Sequence, residues 1–196
     1  MIRDINFNDS KDLAKIHKIC LPNDFLSQIG ENFLDILYQG MLKEKHTFGK
    51  AMVEKNKILG FIIGTSQTDK MFLAIIQENF LRFFILSIFS ILKNPKLVLK
   101  IFETLLYNKK LAQFKKIPKS ELLFIGVLPQ KRGGGTGSKL VKSFEKQLKD
   151  KNIGKYRVCL YKTHKKSENF YLKNNFEFFN KFHLYNKTWK IYVKNL

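Results

Sequence analysis

Cysteine, proline and acidic side chains are all scarce in this chain. Its 196 residues hold two cysteines, Cys20 and Cys159, far apart and neither in a CxxC pair. That excludes a disulfide framework and the ligand spacing of a structural zinc site. Four prolines and 11 glycines leave no Pro/Gly-rich linker, no internal repeat and no low-complexity tract, so one domain over residues 1–196 is expected. Only 16 Asp and Glu stand against 36 Lys and Arg, a net charge of +20. Such a field attracts anions: nucleic acid, anionic lipid or phosphorylated small molecules. The lysines are spread along the chain rather than gathered into a tail, which favours a general compositional bias. There is no zinc-finger pattern, RNP motif or aromatic–basic repeat, and no nucleic-acid partner is expected. An uninterrupted apolar run is missing too. Residues 71–92 are the most apolar stretch, but Gln77, Glu78, Asn79 and Arg82 break it. The uncharged run from Phe83 to Leu92 falls short of the roughly 20 residues of a bilayer span, so no transmembrane helix is expected. The opening residues MIRDINFNDS contain no apolar leader segment, and the cytoplasm is the expected compartment.

What the chain does have is packing material. Hydrophobic residues make up 44%, with 19 phenylalanines, enough to build a core and an apolar cleft. Ile2, Ile5 and Phe7 read as a first strand. Leu13, Ile16, His17 and Cys20 fall at helical spacing, capped by Asp9 or Ser10 and broken by Pro22. The segment LPNDFLSQIG reads as a loop before a second helix running from Gly30 to about Lys43. Residues 47–53 and 57–65 read as a hairpin turning at Lys55-Asn56, and Gly60 and Gly64 imply a bulge or a close neighbour. Residues 79–92 and 95–108 predict an apolar helical hairpin. Phe80, Phe83, Phe84, Ser87, Ile88 and Ile91 lie on one helix, and Leu97, Ile101, Leu105 and Leu106 on the other, with Asn94 and Pro95 starting the second. Then follow a buried strand over 121–127, a helix over 135–149, a strand over 155–161, a short helix over 166–174, and two strands over 176–184 and 188–194. This is a mixed α/β (α+β) order with strand–helix–strand units, which require local parallel pairing.

The strongest local feature is VLPQKRGGGTGSKL, residues 127–140. A strand ends, Pro129 stops its ladder, and Gly133, Gly134, Gly135 and Gly137 open a helix. Glycine lets the backbone take positive φ and approach a ligand closely. The first helical amides then point outward, unpaired, at the positive helix end, an anion site suited to a pyrophosphate. Lys131 and Arg132 add charge beside it. A P-loop needs Gly-Lys-Ser/Thr where this chain has Gly137-Ser138-Lys139, and a dinucleotide G-x-G-x-x-G fails at Ser138.

This turn resembles that of the GCN5-related N-acetyltransferases (GNAT), which carry Gln/Arg-x-x-Gly-x-Gly/Ala after their fourth strand. Gln130, Gly133 and Gly135 match, and Val127, Pro129, Arg132, Gly137 and Leu140 fit the flanks. The family's second signature, Asn-x-x-Ala-x-x-Phe-Tyr-x-x-x-Gly-Phe, is similar to HKKSENFYLKNNF at 164–176. Ser167, Phe170, Tyr171 and Phe176 fit, while His164 replaces Asn and Asn175 replaces Gly. Asn tolerates the left-handed conformation. The resemblance implies a mixed, mostly antiparallel sheet of about seven strands with a central parallel pair, flanked by helices. The helical hairpin is then an insertion between strands three and four. It implies acetyl-CoA as cosubstrate. Its pyrophosphate would lie on the amides from Gln130 to Ser138, including Thr136, its pantetheine arm on backbone groups of Ile125 and Val127, with His164 and Phe170 nearby.

Acyl transfer from a thioester to an amine needs a base for the amine, a donor for the oxyanion and an acid for the leaving thiolate. In the family's pattern Tyr171 stands at the acid position, and Glu121, six residues before Val127, at a position where some members carry a catalytic glutamate. Asp24 and His46 are secondary base candidates, and a backbone N–H near Val127 is the expected oxyanion donor. The loop at 22–30, with Asp24 and Phe25, and the final hairpin are expected to bind a small-molecule amine, an amino sugar or sugar nucleotide. A protein or peptide amine stays open, as does a basic module, without catalysis, that binds lipid or nucleic acid. The 79–108 insertion is expected to pack on the domain or to form a homodimer contact in preference to lying on anionic lipid.

Overall fold

A computed structural model describes residues 1–93, 95, 99–100, 103–104 and 106–196, with backbone alone for 89–91 and 93. Seven strands form one sheet: β1 (Ile2–Asp4), β2 (Thr47–Glu54), β3 (Lys57–Thr65), β4 (Glu121–Val127), β5 (Lys155–Tyr161), β6 (Glu177–Leu184) and β7 (Lys187–Asn195), in the order β1-β2-β3-β4-β5-β7-β6. Every pairing is antiparallel except β4 with β5. The helices are α1 (Ser10–Cys20), α2 (Phe25–Ile29), α3 (Glu31–Lys43), α4 (Thr68–Lys93), α5 (Tyr107–Ala112), α6 (Thr136–Asp150) and α7 (Lys165–Lys173).

Period-two alternation sends successive side chains to opposite faces of the sheet, and each face has its own core. Leu13, Leu34, Tyr38, Phe61, Ile63, Met71 and Phe124 bring α1, α3 and α4 onto one face. Ile62, Leu122, Leu140, Val141, Phe144, Tyr156 and Tyr192 bring α6 onto the other. In α6 the apolar residues fall at i, i+1, i+4 and i+8, so Leu140, Val141, Phe144 and Leu148 form one stripe, each 0% exposed. Burying each stabilises by roughly 1.5–3 kcal/mol.

Three local expectations are corrected. The first strand is shorter than residues 2–7, because Asn6 turns the chain out of the sheet. Its side chain accepts from Asn8 N–H at 3.0 Å, and its own N–H donates to Asp9 at 2.8 Å. The segment expected as loop contains α2, whose start Asp24 caps by accepting from Leu26 N–H at 3.2 Å. The helix expected over 79–92 starts eleven residues earlier, at Thr68. Gln77, Glu78, Asn79 and Arg82 interrupt apolarity but are compatible with a helix. Its stretch Thr68–Ile88 is, by length and composition alone, apolar enough to cross a membrane. Of the second hairpin helix, Asn94, Leu97, Ile101 and Leu105 lie outside the described residues.

Candidate active site

The site begins where the parallel pair comes apart. β4 and β5 pair only at Glu121↔Arg157 and Leu122↔Val158, although β4 runs on to Val127 and β5 to Tyr161. The cause is visible in the β3–β4 register. Ile63 faces Phe124 and the next residue, Gly64, faces Leu122, so Leu123 is an extra residue in β4. A bulge of this kind bends its strand and reverses which residues turn their amides to which neighbour. Leu128 N–H donates to Leu59 in β3 at 2.9 Å. By alternation the amide groups of Gly126 and Phe124 also point to β3, and those of Ile125 and Val127 point into the opening left by β5. Those are the two residues nominated from sequence to hold the cofactor arm. The Val127 carbonyl accepts from Arg132 Nε at 2.8 Å.

The glycine turn closes the end of this opening. Pro129–Lys131 form a short 3-10 turn with Gln130 exposed on it, and Gly133 and Gly135 have φ of 85° and 75°. An L side chain at Gly135 would be strained by its left-handed φ although the space around it is open. Gly135 starts α6 without a side-chain cap, and the first amide to find its acceptor within the turn is Lys139, which donates to Gly135 O at 3.0 Å. The amides of Thr136, Gly137 and Ser138 precede it at the positive helix end, as an anion site requires. A Cβ on Gly137 would lie 3.0 Å from the Phe170 ring, so this glycine lets α7 close against the start of α6. Gly134 is exposed between them. Lys131 pairs with Glu54 at 2.6 Å on the β2–β3 hairpin, and Arg132 is held back on Val127. Both cations therefore flank the turn rather than point along it.

Tyr171 lies on α7 with its ring against Phe170 and Phe176, and is 6% exposed. The helix ends in a Schellman turn: Phe176 N–H donates to Tyr171 O and Asn175 N–H to Leu172 O, with Asn175 at φ 62°. The Asn that stands for Gly thus adopts the left-handed conformation expected of it. Among the described residues no side chain hydrogen-bonds the Tyr171 hydroxyl. Burial, and secondarily Cys159, push its pKa above the ordinary value of 10, so it keeps its proton at neutral pH. His164 stands at the start of α7, exposed, with its ring 5.3 Å from that of Tyr161.

Glu121 does not stand in a cleft, and the expectation of a glutamate base there is corrected. Its carboxylate is 3% exposed and accepts from Arg157 Nη2 at 2.7 Å, Arg157 Nε at 3.1 Å, Thr68 Oγ1 at 3.1 Å and the Tyr107 hydroxyl. Three of these contacts fall on Oε2 and one on Oε1, so the carboxylate is committed to a buried ion pair and its surrounding hydroxyls. The reason is tertiary: Arg157 is the β5 residue paired with Glu121 across the parallel ladder. The neighbouring Cys159 thiol is pushed up by burial and then by Glu121, which excludes it as a nucleophile. His46 is engaged elsewhere, 3.3 Å from Ser66 Oγ.

Asp24 lies among His17 and three tyrosines. Its Oδ2 lies 3.7 Å from His17 Nε2, and its charge acts on Tyr38, Tyr161 and Tyr185, contributing after burial to the upward shift of each. Phe25 stacks against Tyr185 at 5.3 Å. His17 stacks on Phe124 of β4 at 4.4 Å, and its Nδ1 is 2.7 Å from the Tyr38 hydroxyl. Its other ring nitrogen, Nε2, is buried without a hydrogen-bond partner among the described residues. Sequence reasoning missed His17, Tyr38, Tyr161 and Tyr185. Each sits in an apolar stripe or at a strand end, and only folding brings them around Asp24. A shallow open depression of about 620 Å³, lined by Lys110, Phe114, Lys181 and His183 among others, contains none of these groups. We place the chemistry at the β4–β5 opening, where backbone donors, an anion site and a buried phenol converge.

A seven-stranded mixed sheet whose parallel pair opens beside a glycine-rich helix start defines an acyltransferase fold. The profile of the acetyltransferase (GNAT) family matches residues 11–176, and the chain belongs to that family. No curated protein matches it by sequence. Among solved structures, PaiA N-acetyltransferase from Thermoplasma acidophilum in complex with coenzyme A has a TM-score of 0.62 at 13% identity, over 100% of this chain and 98% of its own. Ribosomal-protein-alanine N-acetyltransferase from Brucella melitensis gives 0.62 at 12%, over 100% and 99%. Drosophila melanogaster polyamine N-acetyltransferase also gives 0.62 at 12%, over 100% and 99%. At these identities the likeness is one of fold.

Proposed function

We propose that this chain is an acetyl-CoA-dependent N-acetyltransferase of the cytoplasm that acts on the primary amine of a small molecule. The observation that carries the reading is the opening between β4 and β5, with the amides of Ile125 and Val127 facing it and the glycine turn at its end. Peptide-like groups of the cofactor arm suit unpaired strand amides, and its pyrophosphate suits the uncapped start of α6. Bound acetyl-CoA supplies an activated thioester, so no covalent enzyme intermediate is needed.

The chain's own groups then hold and move protons. Asp24 pairs with the ammonium form of the acceptor, and His17 Nε2, 3.7 Å away, takes the proton that frees the amine. Tyr171, kept protonated by burial, gives a proton to the departing thiolate. The aromatic faces of Phe25, Tyr161 and Tyr185 around the Asp24 carboxylate suit a ring that carries an amine, such as an amino sugar. A net charge of +20 favours a nucleotide-linked sugar over a cationic polyamine.

The test is calorimetric titration of the purified protein with acetyl-CoA, with dephospho-CoA and ATP as controls. Micromolar binding of acetyl-CoA is expected, followed by turnover in a screen that starts with amino-sugar nucleotides. No heat with acetyl-CoA would remove the catalytic reading, and turnover with peptides alone would reassign the acceptor.

A further inference from the structure

A helix that is apolar all round is ordinarily covered all round, and α4 is covered on one side only. Thr68, Met71 and Ile75 are nearly inaccessible, and Phe83 meets Phe33 of α3 at 4.9 Å. On the opposite side, Phe80, Leu81, Phe84, Ile85, Ile88 and Leu92 are 38–75% exposed. At 3.6 residues per turn these six fall within an arc of about 140°, and they extend about 18 Å along the axis. Before Phe80 the same side of the helix carries Lys70 and Gln77, both exposed, and one apolar residue, Leu73, 61% exposed, so the continuous apolar face belongs to the second half of α4. Leu99 and Leu106, further along the insertion, are 70% and 46% exposed.

The chain that follows this face is one-sided in charge. Residues 93–119 contain eight lysines (93, 96, 100, 109, 110, 115, 116 and 119) and one carboxylate, Glu103, which is 8 − 1 = +7. Lys109, Lys115, Lys116 and Lys119 are exposed. An exposed apolar helical face in a chain with a lysine-rich segment after it is the composition of an element that lies in the plane of an anionic membrane surface.

We propose that the outer face of α4 from Phe80 to Leu92, with the exposed lysines Lys109, Lys115, Lys116 and Lys119, docks this protein onto a bilayer that carries anionic lipid. The helix lies on the membrane and does not cross it. Its first half is tied to the sheet, with Thr68 N–H donating to Lys119 O at 3.1 Å, and the free 18 Å is shorter than the roughly 30 Å hydrocarbon thickness. A second copy is a poorer occupant, because it would bring together two chains of net charge +20. The opposite side of the same insertion touches the acceptor wall: Thr104 Oγ1 lies 2.7 Å from the Tyr185 hydroxyl, and Lys100 Nζ lies 5.9 Å from the Phe25 ring centre.

The experiment is co-sedimentation with vesicles of phosphatidylcholine alone and of phosphatidylcholine with one part in three phosphatidylglycerol, at low and high salt. Binding at least ~10-fold tighter to the anionic vesicles at low salt is expected, since several lysines act together. Phe84→Glu with Ile88→Glu is expected to abolish it, and Lys115→Glu with Lys116→Glu to weaken it. Circular dichroism and the melting temperature of both variants should match the parent, since all four side chains lie on the surface or at its edge. Failure of the parent protein to sediment with anionic vesicles overturns the proposal. Equal binding to both vesicle types also overturns it, as does a dimer in analytical ultracentrifugation that the α4 variant disrupts while vesicle binding persists.

Discussion

Replacing Glu121 by Gln separates two roles for one carboxylate. The side chains of Glu121 and Arg157 are 4% and 5% exposed, and they meet at 2.7 Å. Gln keeps the shape, but its one carbonyl oxygen can take the place of only one carboxylate oxygen, so it accepts from Thr68 or from Tyr107 and not from both, and it leaves the buried guanidinium without a counter-charge. Removing one partner of such a pair costs about 3–5 kcal/mol. For a domain of this size each kcal/mol shifts the melting temperature by roughly 2–4 °C, so a fall of about 6–20 °C is expected. Calorimetric melting checks this. Turnover measured well below the transition should retain the pH profile of the parent enzyme, because the Glu121 carboxylate is buried and committed to Arg157, Thr68 and Tyr107. A second substitution, Arg157→Met in the Glu121→Gln background, should recover part of the lost stability by removing the stranded charge. A Glu121→Gln protein that melts within about 2 °C of the parent but loses its turnover and its acidic pH limb would refute the structural assignment and restore Glu121 as the base.

Tyr171→Phe is expected to lower kcat by about 10²–10⁴-fold, the range of a single acid–base group, while calorimetric affinity for acetyl-CoA stays within a factor of two or so; unchanged turnover removes the acid role. Because burial raises the Tyr171 pKa above 10, the alkaline limb it controls should appear only above pH 10 in a rate profile. Gly135→Glu should eliminate acetyl-CoA binding, since it forces a side chain into φ 75° and sets a carboxylate on the anion site. Acid stability offers a separate check at Asp9. Burial raises its pKa, but the paired hydrogen bonds from Arg3 and that from Asn6 N–H lower it further, leaving it below the ordinary 3.8. The unfolded chain therefore takes the proton first. The stabilisation is present above about pH 4 and is lost as pH falls through the folded-state value. Asp9→Asn should flatten the dependence of melting temperature on pH between about 2 and 4.

The sequence by itself determined the strand and helix order, since β3, β4 and β5 have the boundaries their apolar patterns indicate and the α6 stripe follows from 3.6-residue spacing. It also determined the anion turn, because four glycines at a strand-to-helix junction restrict the backbone locally. Tyr171 was found through a motif whose residues are neighbours in the chain. Tertiary structure alone decided the rest. Glu121 looks like a cleft carboxylate until Arg157, 36 residues on, is brought against it by the parallel ladder. Asp24 has no visible partner until α1, β5 and the β6–β7 turn bring His17, Tyr161 and Tyr185 around it. The outer face of α4 reads as core from its composition. Only the packing shows that α3 covers the other side, because hydrophobic periodicity reports which residues avoid water and not what they meet instead.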